Sequence, residues 1–358
     1  MDIESRIDLV RQVGEEILTQ DELRALFESK KSPIAYDGFE PSGNVHIAQG
    51  VLRAINVNKM VRSGCKFKMW VADWFGWMNN KMGGDLDKIR VTGNYMIEVW
   101  KSTGMDVDNV EFLWAKDVMA DDEYWKKVVM IARSSTVPRI LRCAQIMGRT
   151  ETETLTAAQV FYPCMQAADI FHLKADIAQL GMDQRKVNIL AREVAPKLNL
   201  PKPVAVHHHM LMGLSEPPKN AADATEKSIV MKMSKSNPNS AIFMTDSPEE
   251  ISKKIGHAYC PAKVVVENPI MEYCKYIVFE KQKTLEIKRP TKFGGDLVMN
   301  GYKELETAYF KGNIHPMDLK NAVSFSLSSI LEPTRKHFEK NKKAKELLEQ
   351  VKSFQVTR

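Results

Sequence analysis

The sequence predicts an α/β protein in which a doubly wound, Rossmann-like parallel sheet is followed by a smaller, mainly helical domain. Short apolar runs without a helical period alternate with amphipathic segments of helix length as far as residue 212. Beyond Pro238 the alternation stops, and the remaining segments have helical spacing. The chain of 358 residues, 44% apolar and 27% charged, is long enough for two domains with cores of their own.

In chain order, the first predicted element is a helical segment at about residues 2–29. The apolar run SPIAYDGF is the first buried strand, and a turn containing Gly38 and Gly43 leads into a helix that ends at Gly64. Four more strands follow: CKFKMWVADWF, VEFLWA, ADIAQLGM and PVAVHHHMLM. The helices between them are predicted over DLDKIRVTGNYMIEVWKSTGM, at about residues 121–172 and at about residues 183–198. Such alternation is typical of a parallel sheet with helices on both faces.

This order of elements predicts three parts of the chain. They are an N-terminal helical segment over residues 1–30, a Rossmann-like domain over 31–245 with a helical insertion at about 118–160, and a helical C-terminal domain over 246–358. Ser247 is predicted as the N-cap of the first helix in the C-terminal domain.

Positive charge is concentrated at the C-terminal end. From Cys274 to Arg358, seventeen Lys and Arg oppose ten Asp and Glu, a net charge of +7, while the rest of the chain has 34 against 35. A basic domain beside a neutral one indicates a polyanionic partner, although a charge run of this kind is also typical of a solvated helix face.

The composition predicts a soluble, cytoplasmic protein. No run of about eighteen apolar residues occurs, and the N-terminus MDIESRIDLVRQVGEEIL is acidic where a signal peptide is basic and then apolar. The five cysteines form no C-x-x-C pair, which predicts reduced structural thiols. The G-x-G-x-x-G and P-loop patterns are both missing from the sequence, which argues against a dinucleotide site and a P-loop.

One predicted helix presents a polar stripe. In AAQVFYPCMQAADIF, Tyr162, Gln166 and Asp169 are spaced i, i+4 and i+7, so they project from one face of an otherwise apolar segment. Gln184 follows the strand ADIAQLGM, at the sheet edge where ligands bind in this fold class. Together these groups suit a zwitterion such as an amino acid, with a structural hydrogen-bond network as the alternative for the stripe and helix capping as the alternative for Gln184.

Two further stretches are suited to anions. The turn YDGFEPSGNVHIAQG leads to a helix start, and His46 is predicted on the first turn of that helix, where a phosphate is favoured. The stretch SIVMKMSKSNPNS at 228–240 has too little apolar surface for a core, so it is either a surface loop or an anion-binding loop.

Three consecutive histidines, His207 to His209, form the third notable stretch. Successive side chains of a strand point to opposite faces, so the three cannot converge on one ion. We therefore interpret them as structural or site-lining residues and predict no metal ligands in the protein.

Two of these motifs resemble the signatures of class I aminoacyl-tRNA synthetases, namely HIAQ at 46–49 and KMSKS at 232–236. The runs YDGFEPSG, YPCMQAAD and GMDQRK resemble those of tyrosyl-tRNA synthetases of the archaeal and eukaryotic type. The resemblance extends from about residue 30 to about residue 340, through IKRPTKFGGDL and HPMDLKNAV.

The resemblance implies roles for individual residues. Tyr36 and Asp169 match residues that bind the phenol hydroxyl of tyrosine, and Tyr162, Gln166 and Gln184 match those that bind its ammonium group. The remaining matches are with the ATP-binding residues Gly38, Glu40, Gly43 and His46, the pyrophosphate-binding lysines Lys232 and Lys235, and the anticodon-binding residues Phe293 and Asp318.

The resemblance also implies the reaction. L-Tyrosine and ATP, with Mg²⁺ bound through the ATP phosphates, form tyrosyl-adenylate and pyrophosphate, and the tyrosine is then transferred to the 3′ end of tRNA(Tyr). A homodimer is implied in the same way. The sequence departs from the family signature at Gln49, where a second histidine is usual, and in the segment SEPPKNAADATEKSIV, which is longer and poorer in glycine than the usual link.

Three alternatives remain open at this point. A tryptophanyl-tRNA synthetase has the same architecture, but a pair such as Tyr36 and Asp169 suits a phenol better than an indole. A non-catalytic RNA-binding relative is disfavoured by the intact run KMSKS at 232–236, the lysine motif. A small-molecule adenylyltransferase with the first motif would leave the basic helical domain unexplained.

Overall fold

The computed structural model describes residues 1–147, 154–218, 231, 233 and 238–354. Its main feature is a six-stranded sheet with the strand order β1-β6-β5-β2-β3-β4. The strands from β2 to β6 are parallel to one another, which confirms the predicted α/β class. Their bounds are β1 Gly14–Leu18, β2 Ile34–Phe39, β3 Lys66–Val71, β4 Val110–Trp114, β5 Ile177–Gly181 and β6 Val204–His208.

The N-terminal segment is not helical throughout, so that prediction was wrong in part. It forms α1 (Ile3–Arg11), β1 and α2 (Gln20–Ser29), and β1 pairs antiparallel with β6. The physical reason lies in distant partners that local spacing does not reveal. The Glu16 carboxylate lies 2.7 Å from Nδ1 of His207 on β6, and backbone pairing there covers an otherwise open sheet edge.

The helices on the sheet follow the predicted order, with three corrections. The run CKFKMWVADWF is a strand only as far as Val71, and its end begins a short helix at Asp73. The helix after β2 begins at Ala48 with a π-helical turn rather than before His46, because residues 45–47 pair with another segment. The predicted long helical region is divided, since Thr136 and Pro138 begin a new helix. The bounds are α3 Arg53–Arg62, α4 Asp73–Met78, α5 Leu86–Ser102, α6 Asp122–Arg133, α7 Val137–Leu141, α8 Ala157–His172 and α9 Arg185–Val194.

The C-terminal part is mainly helical, as predicted, but it also contains a small antiparallel hairpin. Ser247 is confirmed as an N-cap, since its hydroxyl accepts from Glu250 N and the Glu250 carboxylate accepts from Ser247 N. The hairpin consists of β7 (Leu285–Ile287) and β8 (Leu297–Met299). The helices are α10 Pro248–His257, α11 Pro269–Tyr273, α12 Phe279–Lys281, α13 Tyr302–Phe310, α14 Pro316–Lys340 and α15 Lys342–Ser353.

The helical part packs directly on the sheet-containing part. Buried apolar residues of both belong to one continuous cluster, in which the Tyr95 and Phe338 rings lie 5.4 Å apart. Ion pairs border this contact, with Lys59 Nζ 2.7 Å from Glu280 Oε1. The domain boundaries at residues 30 and 245 stay predictions. Within the described ranges, no helix is both long enough and apolar enough to cross a membrane.

Candidate active site

A buried polar cluster, the pocket of the candidate site, forms where Tyr36 of β2 lies near Asp169 of α8. Each residue is only 1% exposed. Burial raises the pKa of Asp169 well above its ordinary value, and burial together with the charge of Asp169 raises the pKa of Tyr36. The sequence analysis predicted this pair, and the structure brings the two residues into electrostatic contact.

Tyr124 of α6 is a third member of this pocket that the sequence analysis missed. Its hydroxyl donates a hydrogen bond of 2.9 Å to Asp169 Oδ1. A carboxylate can accept about four hydrogen bonds, so this bond leaves Asp169 capacity for a ligand hydroxyl. No sequence signal pointed to Tyr124, because it is one aromatic residue on the apolar face of an amphipathic helix.

The polar stripe of α8 forms the other end of the pocket. Gln166 Nε2 donates to Gln184 Oε1 at 3.0 Å, and Gln184 Nε2 donates to the Ile146 carbonyl at 3.1 Å. The Tyr162 hydroxyl donates to the Glu40 carboxylate. The predicted trio of Tyr162, Gln166 and Gln184 therefore lies close together, with a neighbouring carboxylate that suits a cationic group.

Glu40 was predicted on the ATP side, and its contacts also connect it to the polar end of the pocket. Besides Tyr162, its carboxylate accepts from Asn79 Nδ2 at 3.1 Å and lies 3.8 Å from Lys81 Nζ. Glu40 thus stands between the turn after β2 and the stripe of α8.

The turn between β2 and His46 depends on glycine. Gly43 has a φ of 110°, a conformation that favours glycine over other residues. At Gly38 a Cβ atom would lie 3.3 Å from Trp70 Cδ1, so a side chain there would crowd the strand next to it. Both glycines therefore allow the backbone to pass close to the pocket, as a phosphate-binding turn requires.

His46 lies just before the helix, and its backbone forms an antiparallel bridge with Phe243. Ile47 N donates to the Ile242 carbonyl at 2.8 Å, and Met244 N donates to the Val45 carbonyl at 2.9 Å. This pairing explains why His46 is not on the first helical turn, and it fixes the chain after the lysine motif beside the first motif. Lys232 and Lys235 themselves lie outside the described residues.

Beneath the turn lies a buried charged network that the sequence analysis also missed. Asp37 Oδ2 is 2.6 Å from Arg53 Nη1, and Arg53 Nη2 is 2.7 Å from His208 Nε2. Burial raises the pKa of Asp37 to about 7 and lowers the pKa of His208 well below its usual value. A charged residue inside the apolar run IAYDGF was the available signal.

The three consecutive histidines have separate protein partners. His207 contacts Glu16 and Asn188, His208 contacts Arg53 and Gln179, and His209 contacts Glu15 and Glu272. Their side chains therefore serve different contacts, in line with their alternation along a strand.

The predicted anticodon residues lie in the C-terminal part. Phe293, between β7 and β8, is 61% exposed, and Lys292 Nζ lies 5.0 Å from the centre of its ring. Asp318 is in the first turn of α14. Arg289 connects the two regions, because its Nη1 donates to the Asn313 carbonyl just before α14. An exposed aromatic ring next to a cation is suited to stacking on a base.

Comparisons with known proteins identify relatives of the whole chain. A family model described as tRNA synthetases class I (W and Y) matches residues 28–332. Tyrosine–tRNA ligase 1, cytoplasmic, from Arabidopsis thaliana is 50% identical over 360 residues, which cover 100% of this chain and 90% of that protein.

Two solved structures are similar in fold and sequence. A tyrosyl-tRNA synthetase from Pyrococcus horikoshii, solved with L-tyrosine, has a TM-score of 0.90 and 41% identity, covering 98% of this chain and 100% of that one. A Leishmania major tyrosyl-tRNA synthetase, solved with tyrosinol, has a TM-score of 0.89 and 44% identity, and the match covers 100% of this chain but only 61% of the Leishmania chain.

The hydrogen bond from Tyr124 to Asp169 is open to a direct test. Tyr124→Phe is expected to lower the free energy of unfolding by about 1–3 kcal/mol, because it leaves a buried carboxyl oxygen without its donor. Urea denaturation of the single variants, of Asp169→Asn and of the double variant gives the coupling between the two side chains. Additive losses would contradict the interaction.

Proposed function

The chain belongs to the class I tRNA synthetases, within the tyrosyl-tRNA synthetases of archaeal and eukaryotic type, and from that premise we propose how its residues carry out the reaction of a tyrosine–tRNA ligase. As a ligase of this family, it joins tyrosine to tRNA at the expense of ATP. The observation that carries the proposal is the buried pocket of Tyr36, Tyr124 and Asp169 next to the polar stripe of α8.

The pocket selects the substrate by its hydroxyl. Asp169 accepts a hydrogen bond from the phenol of tyrosine, and Tyr36 bonds the same oxygen. Phenylalanine would leave the remaining hydrogen-bonding capacity of these buried groups unfilled, at a cost of about 1–3 kcal/mol for each group. Tyr162, Gln166 and Gln184 bind the ammonium group, supported by the Glu40 carboxylate that accepts from Tyr162.

ATP binds along the turn after β2, at Gly38, Glu40, Gly43 and His46, with Lys235 completing the set. Attack of the tyrosine carboxylate on the α-phosphate builds negative charge on the phosphorus and on the departing pyrophosphate. His46 and the lysines 232 and 235 stabilise that charge, so their interactions strengthen as the transition state forms. Mg²⁺ bound through the ATP phosphates would neutralise part of the phosphate charge.

The C-terminal part recognises tRNA(Tyr). Phe293 stacks on a base of the anticodon, and Asp318 accepts hydrogen bonds from it. The net charge of +7 from Cys274 to the C-terminus attracts the phosphate backbone. The protein acts in the cytoplasm, in keeping with the name of the Arabidopsis relative.

The second copy of a homodimer packs against α6 and α7. On α6, Val129 is 49% exposed, and on α7, Val137 is 63% exposed. Their helices also expose Trp125 and Leu141, each four residues away from one of the valines, so both helices present an apolar stripe. Both helices pack on α8, and an exposed apolar surface of this kind is typical of a protein interface.

The overall function is tested by amino-acid-dependent exchange of pyrophosphate into ATP, followed by charging of tRNA. Tyrosine is expected to support exchange, and tryptophan and phenylalanine are not. Phe293→Ala is expected to leave exchange unchanged and to raise KM for tRNA about tenfold or more, because a stacking contact is worth about 1–3 kcal/mol. Exchange with tryptophan and not tyrosine would contradict the proposal.

The selecting role of Asp169 predicts a specific loss. Asp169→Ala is expected to weaken tyrosine binding by at least about tenfold, because the buried phenol loses its carboxyl acceptor. The ratio of kcat/KM for tyrosine to kcat/KM for phenylalanine, both measured by pyrophosphate exchange, should fall. An unchanged ratio would mean that Asp169 does not select the substrate.

The role of the lysine motif predicts a loss of rate without a loss of tyrosine affinity. Lys235→Ala is expected to slow adenylate formation by about 10²-fold or more with little change in the Kd for tyrosine, since it removes an interaction made in the transition state. Stopped-flow measurement of adenylate formation separates the two quantities. Lys336→Ala, which removes an exposed lysine of α14, is the control. Equal losses in rate and affinity would mean that the motif only supports the fold.

The dimer contact predicts a change of mass in solution. Val129→Glu is expected to give a monomer by light scattering, because it places a charge in an apolar contact. Val298→Glu on β8, at a similar exposure of 50%, is the matched control and should remain dimeric. A dimer that persists in Val129→Glu would place the contact elsewhere.

A further inference from the structure

The chain that leads to the lysine motif, and one residue inside the motif, contact α11, a helix of the C-terminal part. After β6 the chain passes through His209 and Met212 on its way to the lysine motif. Both residues contact the same carboxylate oxygen of Glu272. Met212 N donates to Oε2 at 3.0 Å, and His209 Nε2 lies 3.0 Å from the same atom.

The residue next to Glu272 reaches into the motif itself. The hydroxyl of Tyr273 contacts Met233 Sδ at 3.9 Å, and Met233 stands between Lys232 and Ser234. Both side chains are buried, Tyr273 at 0% and Met233 at 5% exposure. Gly213 N also donates to the Met231 carbonyl at 2.7 Å, so the outgoing and returning chain are joined close to this contact.

A stacked ring and a second carboxylate support these contacts. The His209 ring stacks on Tyr276 with 4.3 Å between centres, and its Nδ1 lies 3.3 Å from Glu15 of β1. Burial opposes charge on His209, but Glu15 and Glu272 prevail and raise its pKa to about 9. The contacts thus favour the cationic form of His209, held between two carboxylates that lie far apart in sequence.

We propose that Glu272 and Tyr273 are positioning residues for the lysine motif, a role that rests on the proposed function. Glu272 fixes the chain that leads to the motif, and Tyr273 fixes Met233 inside it. The lysines on either side of Met233 must reach the pyrophosphate in the transition state, and a misplacement of about 1 Å can cost on the order of 10²-fold in rate. The helical part thus contributes to adenylate formation without touching the substrate.

The test compares two carboxylates of the same region. Glu272→Ala is expected to slow adenylate formation about tenfold, with the Kd for tyrosine changed by less than about twofold, because only the position of the motif is disturbed. Glu280→Ala is the matched control: it breaks an ion pair with Lys59 across the same contact between the two parts, and the rate should stay the same. Glu272→Gln retains an acceptor for Met212 N and is expected to recover part of the rate.

Tyr273→Phe keeps the buried ring and removes only the hydroxyl, so it decides the question if Glu272→Ala fails to fold. A rate lowered about threefold at unchanged tyrosine affinity is expected, in line with the modest worth of one hydrogen bond. Two results would overturn the proposal: equal rates for wild type, Glu272→Ala and Tyr273→Phe, or a parallel loss of rate and tyrosine affinity. Absence of tyrosine-dependent exchange in the wild type would instead refute the proposed function.

Discussion

A short antiparallel backbone contact holds the site together. It joins residues 45–47 to residues 242–244. Backbone hydrogen bonds of 2.8 and 2.9 Å join segments that lie far apart in sequence. Gly50 makes the approach possible, because a Cβ there would lie 2.3 Å from Met244 Sδ. Without this contact, neither the position of His46 nor the point at which the chain returns from the lysine motif would be fixed, and the two charge-binding motifs would have no common frame.

The pocket beside this contact illustrates a cost that function imposes on stability. Asp169 is almost fully buried, so its carboxyl is desolvated and its pKa rises. Tyr124 offsets only part of that cost, and the remaining capacity is left for a ligand. A site that must reject a substrate lacking one hydroxyl needs such unsatisfied capacity, since discrimination comes from polar groups that the wrong ligand leaves unpaired.

Much of the fold could be predicted because β2 to β6 are apolar runs, separated by helices with clear periodicity. The polar stripe of α8 could be predicted for the same reason, since residues at i, i+4 and i+7 share a face. The strand β1, the extended backbone at His46 and the pair of Asp37 with Arg53 could not, because each depends on a partner distant in sequence. Tyr124 could not be predicted as a site residue, because a tyrosine on an apolar helix face is usually part of the core.

The pairing of β1 with β6 has a consequence for biosynthesis. Gly14 and Leu18 are synthesised before their partners His208 and Ala205, which follow all the other strands of the sheet along the chain. The N-terminal segment therefore stays unpaired while the nascent sheet grows, and it must pay a large loop-closure entropy when it docks. The first strand of this sheet to be synthesised is thus among the last to pair, and until it pairs the β6 edge is open to a neighbouring chain.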